Sequence, residues 1–159
     1  VPTHLIAQVL ASFEGLPHRT EYVAKARGLR FFNDSKATTP HATIAALTGF
    51  HDAVLIVGGR NKGLDLFELQ QLAAGLTGVV TIGESSPILA EVFGDLVPSV
   101  AAHSMEDAVS QAIQLAKNSG ADVVLSPACA SFDWYLNYME RGDHFKRVVE
   151  QLKSEGDIA

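Results

Sequence analysis

Four short segments of this 159-residue chain carry the side chains that can do chemistry. In Gly58-Gly59-Arg60-Asn61-Lys62-Gly63 the glycines permit close backbone approach and Lys62 presents a point charge suited to a carboxylate, although an exposed loop lysine is the commoner use. Asn33-Asp34-Ser35-Lys36-Ala37-Thr38 runs into the helix start Thr39-Pro40. Free N–H groups at such a start suit a carboxylate or phosphate, and Asp34 is an acceptor for a hydroxyl such as a ribose. Turn and cap chemistry accounts for the same residue types equally well. In Ser126-Pro127-Ala128-Cys129-Ala130-Ser131-Phe132-Asp133 the small residues bring backbone close to a ligand or helix start, and Ser131 is a donor for a carboxylate. Arg19, after Leu16-Pro17-His18, forks onto phosphate oxygens or makes an ordinary interdomain salt bridge. The residues alone therefore describe a site for a small anionic ligand, built from Lys, Thr and Ser on several loops.

Other chemistries lack their residues. No Gly-Lys-[Ser/Thr] follows the Gly58-Gly59 segment, so it is not a Walker phosphate loop. Neither G-x-S-x-G nor a G-x-G-x-x-G after a strand is present. The six histidines and Cys129 show no metal-ligand spacing, and Cys129 reads as a small buried hydrophobe rather than a nucleophile. No general base stands out, so no catalytic residue and no metal site is assigned. Net charge is −6 and no Lys/Arg run reaches five residues, which argues against nucleic acid or anionic membrane as partners. One cysteine suits a reducing compartment. Apolar runs fall well short of the roughly 20 residues of a membrane helix, and no signal peptide is legible. A start at Val1 suggests a fragment of something longer.

The elements that must position these residues alternate. Val54–Val57, Val79–Ile82 and Val123–Leu125 are continuous β-branched runs, as in strands buried on both faces; Val97–Ala102 is a weaker candidate. Helix starts are expected at Thr39-Pro40, at Asp65 with Glu68 as a capping box ahead of Leu69, Leu72, Ala73 and Leu76, at Ser86-Pro87, at Ser104, and at Asp143. Thr20–Ala26 and Leu29–Phe32 around Arg27-Gly28 form a hairpin feeding the first sheet strand. The expectation is an α/β fold: a Rossmann-like, open, mostly parallel sheet flanked by helices, with an N-terminal β-hairpin. In such sheets ligands bind outside the carboxyl ends of the strands, where three of the four segments fall.

At these same loops the chain resembles the UDP-N-acetylmuramoyl-L-alanine–D-glutamate ligase family, from about Phe13 to Leu152. The stretches that carry the resemblance are Gly15-Leu-Pro-His-Arg-Thr-Glu21, Asn33 to Thr38, Gly58 to Gly63, Leu125 to Asp133 and Glu140-Arg-Gly-Asp-His-Phe145, in order and at family spacing. The resemblance implies a C-terminal domain at residues 15–159, with residues 1–14 left from the junction with a central domain. It implies D-glutamate contacts at Lys62, Thr38 and Ser131, with Lys36, Phe132 and Tyr138 alongside, and ATP contacts at Arg19 and Asp34. ATP and Mg²⁺ would be held mainly by the protein's own central domain, and UDP-N-acetylmuramoyl-L-alanine by its N-terminal domain, in a bacterial cytoplasmic enzyme that the fragment alone does not reconstitute. Thr39 stands where many members have Asn, and Tyr138 where the family often has Phe. Two alternatives remain: a stand-alone small-anion-binding module, and a related Mur or folylpolyglutamate ligase domain for another amino acid.

Overall fold

Alternating β-branched runs and amphipathic stretches resolve into one sheet with helices on both faces in the structure, a computed structural model that describes residues 2–12 and 15–157. Phe13 and Glu14, at the expected junction, lie outside the described residues. The strands are β1 (Glu21–Ala26), β2 (Leu29–Asn33), β3 (Ala53–Gly58), β4 (Leu76–Ile82), β5 (Ser99–Ala101) and β6 (Asp122–Leu125), in the spatial order β1-β2-β6-β3-β4-β5. β1 and β2 are the expected hairpin, antiparallel, and every other pairing is parallel. The hairpin does not merely feed the sheet. Its second strand is a sheet strand, with Phe31 to Asn33 paired to Val123 to Leu125.

After α1 (Thr3–Ser12), whose Leu5 and Ile6 are exposed, helices α2 (Pro40–Leu47), α3 (Ser86–Phe93), α4 (Met105–Ala116) and α5 (Tyr138–Asp157) complete the layers with a 3₁₀ segment over Leu66–Gly75. Period-2 alternation along β3 explains the two cores. Val54 and Ile56 face α4 and α5, where they meet Ala108, Val109, Ala112, Phe145 and Val149. Leu55 and Val57 face the other way, toward Leu47, Leu66, Leu69, Leu89, Val92 and Phe93. Among the described residues, no helix is long and apolar enough to cross a membrane.

Most helix starts fall where the cap residues place them. Thr39 Oγ1 accepts from Ala42 N at 3.2 Å with Pro40 at the first helical position, and Ser104 Oγ accepts from Asp107 N at 3.1 Å. Two differ. Asp65 does cap, accepting from Phe67 N, but the segment it opens is 3₁₀ rather than α. Leu66, Leu69 and Leu72 are three residues apart, the period of a 3₁₀ helix, and Leu76 belongs to β4 rather than to that face. Asp143 is not the cap of α5: the helix begins at Tyr138, and Asn137 Oδ1 accepts from Glu140 N at 2.9 Å while Glu140 Oε2 accepts from Leu136 N. Gly142 disguised that first turn by breaking the helical pattern; it sits inside α5 because a Cβ there would overlap the His18 ring.

Candidate functional site

β6 is the strand on which the site turns. Its neighbours β2 and β3 both lead into elements on one face, α2 and the 3₁₀ segment, whereas β6 leads into α5 on the other. The loops after β2, β3 and β6 therefore diverge at the carboxyl edge of the sheet, the place where open parallel sheets form a crevice. All three carry residues singled out from sequence.

The loop after β3 leaves at Gly58 and Gly59, with φ of 131° and 130°. A side chain on either would overlap a carbonyl oxygen, Ile82's or Ala130's, so glycine is required by both space and backbone. Gly59 N donates to Ile82 O, and Arg60 and Ala130 exchange backbone bonds of 2.8 and 3.0 Å. The β3 and β6 loops are thus laced together, and Lys62 Nζ lies 5.5 Å from the centre of the Phe132 ring. Lys62 is exposed and, among the described residues, joins no salt bridge. Ser131 is buried beside them, and its carbonyl accepts from Trp134 N and Tyr135 N.

The loop after β2 is fixed by its own side chains. Asn33 Oδ1 accepts from Ser35 N. Asp34 Oδ1 accepts from Thr20 N at 3.0 Å, and Asp34 Oδ2 accepts from Ser126 Oγ at 2.7 Å. Burial pushes the Asp34 carboxyl above the usual range, against the lowering effect of those bonds. Asp34 is therefore an internal tie that also lines an open cleft of about 320 Å³ with Arg19, Thr20, Lys36, Ala37 and the small residues Ala42, Ala45 and Ala46 of α2. Lys36 belongs to this cleft, with Nζ 5.8 Å from the Tyr138 ring centre. Thr38 is half-buried at the mouth of α2, directly after the cleft residue Ala37.

Arg19, Asp34 and Lys36 thus share one cleft, Lys62, Phe132 and Ser131 lie on the two laced loops, and Tyr138 stands beneath Lys36. Among the described residues no group of three or more His, Cys, Asp or Glu is placed to hold a metal ion. Cys129 is buried, 3.7 Å from Ser85 Oγ, and burial pushes its thiol up, away from nucleophilic use.

Arg141 is the residue that sequence reasoning missed. It is 1% exposed. Its Nε donates to Ser35 Oγ (3.0 Å), Nη1 to Cys129 O (3.0 Å) and Nη2 to Ser35 O (2.8 Å), so one guanidinium fork joins the β2 and β6 loops. Burial pulls its pKa down to about 10, still charged at neutral pH. A signal existed: Arg141 lies four residues before Phe145, on the inward stripe of α5 that continues through Val148, Val149 and Leu152. The Ser85 hydroxyl, which donates to Gly59 O at 2.6 Å, left no such trace.

Sheet order, crevice and loop positions define a Rossmann-like domain with Lys, Arg, Ser and Thr side chains at the carboxyl edge of its sheet. The family model described as "Mur ligase, glutamate ligase domain" matches residues 18–129, and the chain belongs to that family. Relatives named UDP-N-acetylmuramoylalanine--D-glutamate ligase include those of Salinibacter ruber (45% identical, over 96% of this chain and 34% of the relative), Shewanella oneidensis (42%, over 98% and 35%) and Aquifex aeolicus (40%, over 90% and 35%). The chain spans about a third of the length of these curated relatives. A murein peptide ligase from Psychrobacter arcticus (TM-score 0.57, 17% identity, covering 92% of this chain and 31% of that one) shares the fold. So does a UDP-N-acetylmuramate-alanine ligase from Thermotoga maritima (TM-score 0.53, 13%, covering 93% and 33%).

Proposed function

We propose that residues 15–159 are the amino-acid-accepting, C-terminal domain of a bacterial cytoplasmic ligase that joins D-glutamate to UDP-N-acetylmuramoyl-L-alanine at the expense of ATP, in peptidoglycan synthesis. The observation that carries this reading is the convergence of the Lys62, Thr38 and Ser131 loops at one edge of the sheet in a chain of this family. D-glutamate brings two carboxylates. Desolvating them requires fixed cations and donors, which the Lys62 ammonium and the Thr38 and Ser131 hydroxyls supply. Phe132 borders Lys62, and Lys36, bordered by Tyr138, adds a second cation from the cleft side. Arg19 and Asp34 face the nucleotide, phosphate and ribose respectively; Asp34 can do so only through lone pairs left over from Thr20 and Ser126.

In the reaction, the alanine carboxylate of the precursor takes the γ-phosphoryl group of ATP. The D-glutamate amine then attacks the acyl phosphate, the amide forms and phosphate leaves. The contribution of this chain is to hold the amine in line, an effect of proximity and orientation. Mg²⁺ and most of the ATP contacts belong to parts of the polypeptide outside it, in keeping with the missing Walker segment. On this reading the isolated chain turns nothing over.

Steady-state kinetics of the complete polypeptide test the assignment. Lys62→Ala removes a charge-assisted hydrogen bond of about 1.5–3 kcal/mol, so KM for D-glutamate should rise roughly ten- to a hundredfold while KM for ATP stays close to wild type. An unchanged glutamate KM removes Lys62 from the site. Efficient ligation of a different amino acid in place of D-glutamate favours the related-ligase alternative.

A further inference from the structure

Lys62 lies on a loop with no regular structure after Gly58, so something else must hold it in place. The far side of the loop is closed locally: Asn61 Nδ2 donates to Leu64 O, and Asn61 Oδ1 accepts from Leu64 N. The near side is held by a ring of contacts that runs through the loop after β4. Arg60 Nε and Nη2 donate to the two carboxylate oxygens of Glu84, at 3.0 and 2.7 Å. Glu84 N donates to Asp133 Oδ2 at 2.9 Å. Asp133 lies two residues after Ser131, and the backbone exchange between Ala130 and Arg60 closes the circuit. Ser85 stitches the ring from inside, donating to Gly59 O through both its N–H and its hydroxyl. Gly83, at φ 69°, belongs to the same construction, because a Cβ there would overlap the Asp133 carboxylate.

We infer that the Arg60–Glu84 ion pair is a positioning strut that holds Lys62 in one frame with Ser131, so that it governs affinity for the incoming amino acid without touching it. The inference rests on the proposed glutamate site. Both partners are about half exposed, and an exposed pair contributes little to global stability. Its fork-to-fork geometry nevertheless fixes direction as well as distance. It also sits two residues from Lys62, where a small displacement of the loop moves the ammonium away from a carboxylate that must be met at hydrogen-bond distance. The hydrogen bond from Arg60 holds the Glu84 carboxyl below its usual range, so the pair is ionised at neutral pH. Other parts of the ring are backbone bonds, the buried Ser85 contact and the bond from Glu84 N to the Asp133 carboxylate. The ion pair alone can be reversed without emptying any packed volume.

The test is charge exchange in the complete polypeptide, with Arg60→Glu, Glu84→Arg, the double exchange and Lys62→Ala measured side by side. Each single exchange sets like charges against each other and should raise KM for D-glutamate by about five- to tenfold, leaving KM for ATP and the thermal midpoint near wild type. The double exchange should return the glutamate KM to within about twofold of wild type, as a restored pair requires. Single exchanges that leave the glutamate KM unchanged, that raise both KM values alike, or that the double exchange does not rescue overturn the strut. If Lys62→Ala also leaves the glutamate KM unchanged, the site itself fails. If Lys62→Ala raises it and the single exchanges do not, only the strut fails.

Discussion

Arg141 is a buried cation whose three acceptors are all neutral: two carbonyls and a hydroxyl. Keeping a guanidinium there costs desolvation, which is why its pKa falls to about 10. The return is geometric, since one planar fork reaches Ser35 on the β2 loop and Cys129 on the β6 loop at once. Arg141→Met keeps much of the volume but leaves the Ser35 and Cys129 carbonyls without that donor, at about 1–3 kcal/mol each, partly offset by removing the buried charge. We expect a net loss of roughly 2–4 kcal/mol by urea unfolding of this chain. Arg141→Lys should recover only part of it, because an ammonium cannot present the same planar fork to both loops. An unfolding midpoint unchanged in Arg141→Met would show that the two loops are held without the staple.

At the scale of elements, two glycines of α5 distinguish helix propensity from packing. Alanine is the better helix former by about 0.8–1.0 kcal/mol. Gly156 has open space around its missing Cβ, so Gly156→Ala should raise the thermal midpoint slightly, less than a mid-helix site would because the end frays. At Gly142 a Cβ would overlap His18 Nδ1 and stand 3.0 Å from Asn33 Nδ2, so Gly142→Ala should lower the midpoint by several degrees despite its propensity gain. A midpoint raised by both changes would mean the His18 turn before β1 yields freely to α5. The same residue explains why the start of α5 departs from the sequence-based expectation. Strands and capped helices were legible because β-branched runs and Ser or Thr caps are local signals. The start of α5 was not, because Gly142 in its second turn is dictated by His18, 124 positions away in the chain. The 3₁₀ geometry of Leu66–Gly75 was missed in a similar way: Asp65 caps it like any helix, and only the three-residue leucine spacing differs.

For the molecule as a whole, the three-layer architecture and its carboxyl edge were readable from alternation alone, and so were three of the loops at that edge. The bonds between those loops could not be read, since Arg60 to Ala130, Ser35 to Arg141 and Gly59 to Ser85 are pairings between segments far apart in sequence. The proposed function therefore depends on a spatial arrangement, in which Lys62, Thr38 and Ser131 would form one receptor for a doubly acidic amino acid. A crystal structure of the complete polypeptide with D-glutamate and a non-hydrolysable ATP analogue tests it most directly. It should place one glutamate carboxylate about 3 Å from Lys62 Nζ, with Ser131 Oγ or Thr38 Oγ1 donating to a carboxylate oxygen of the same molecule. D-glutamate bound away from this edge, or held there with Lys62 turned to solvent, would contradict it.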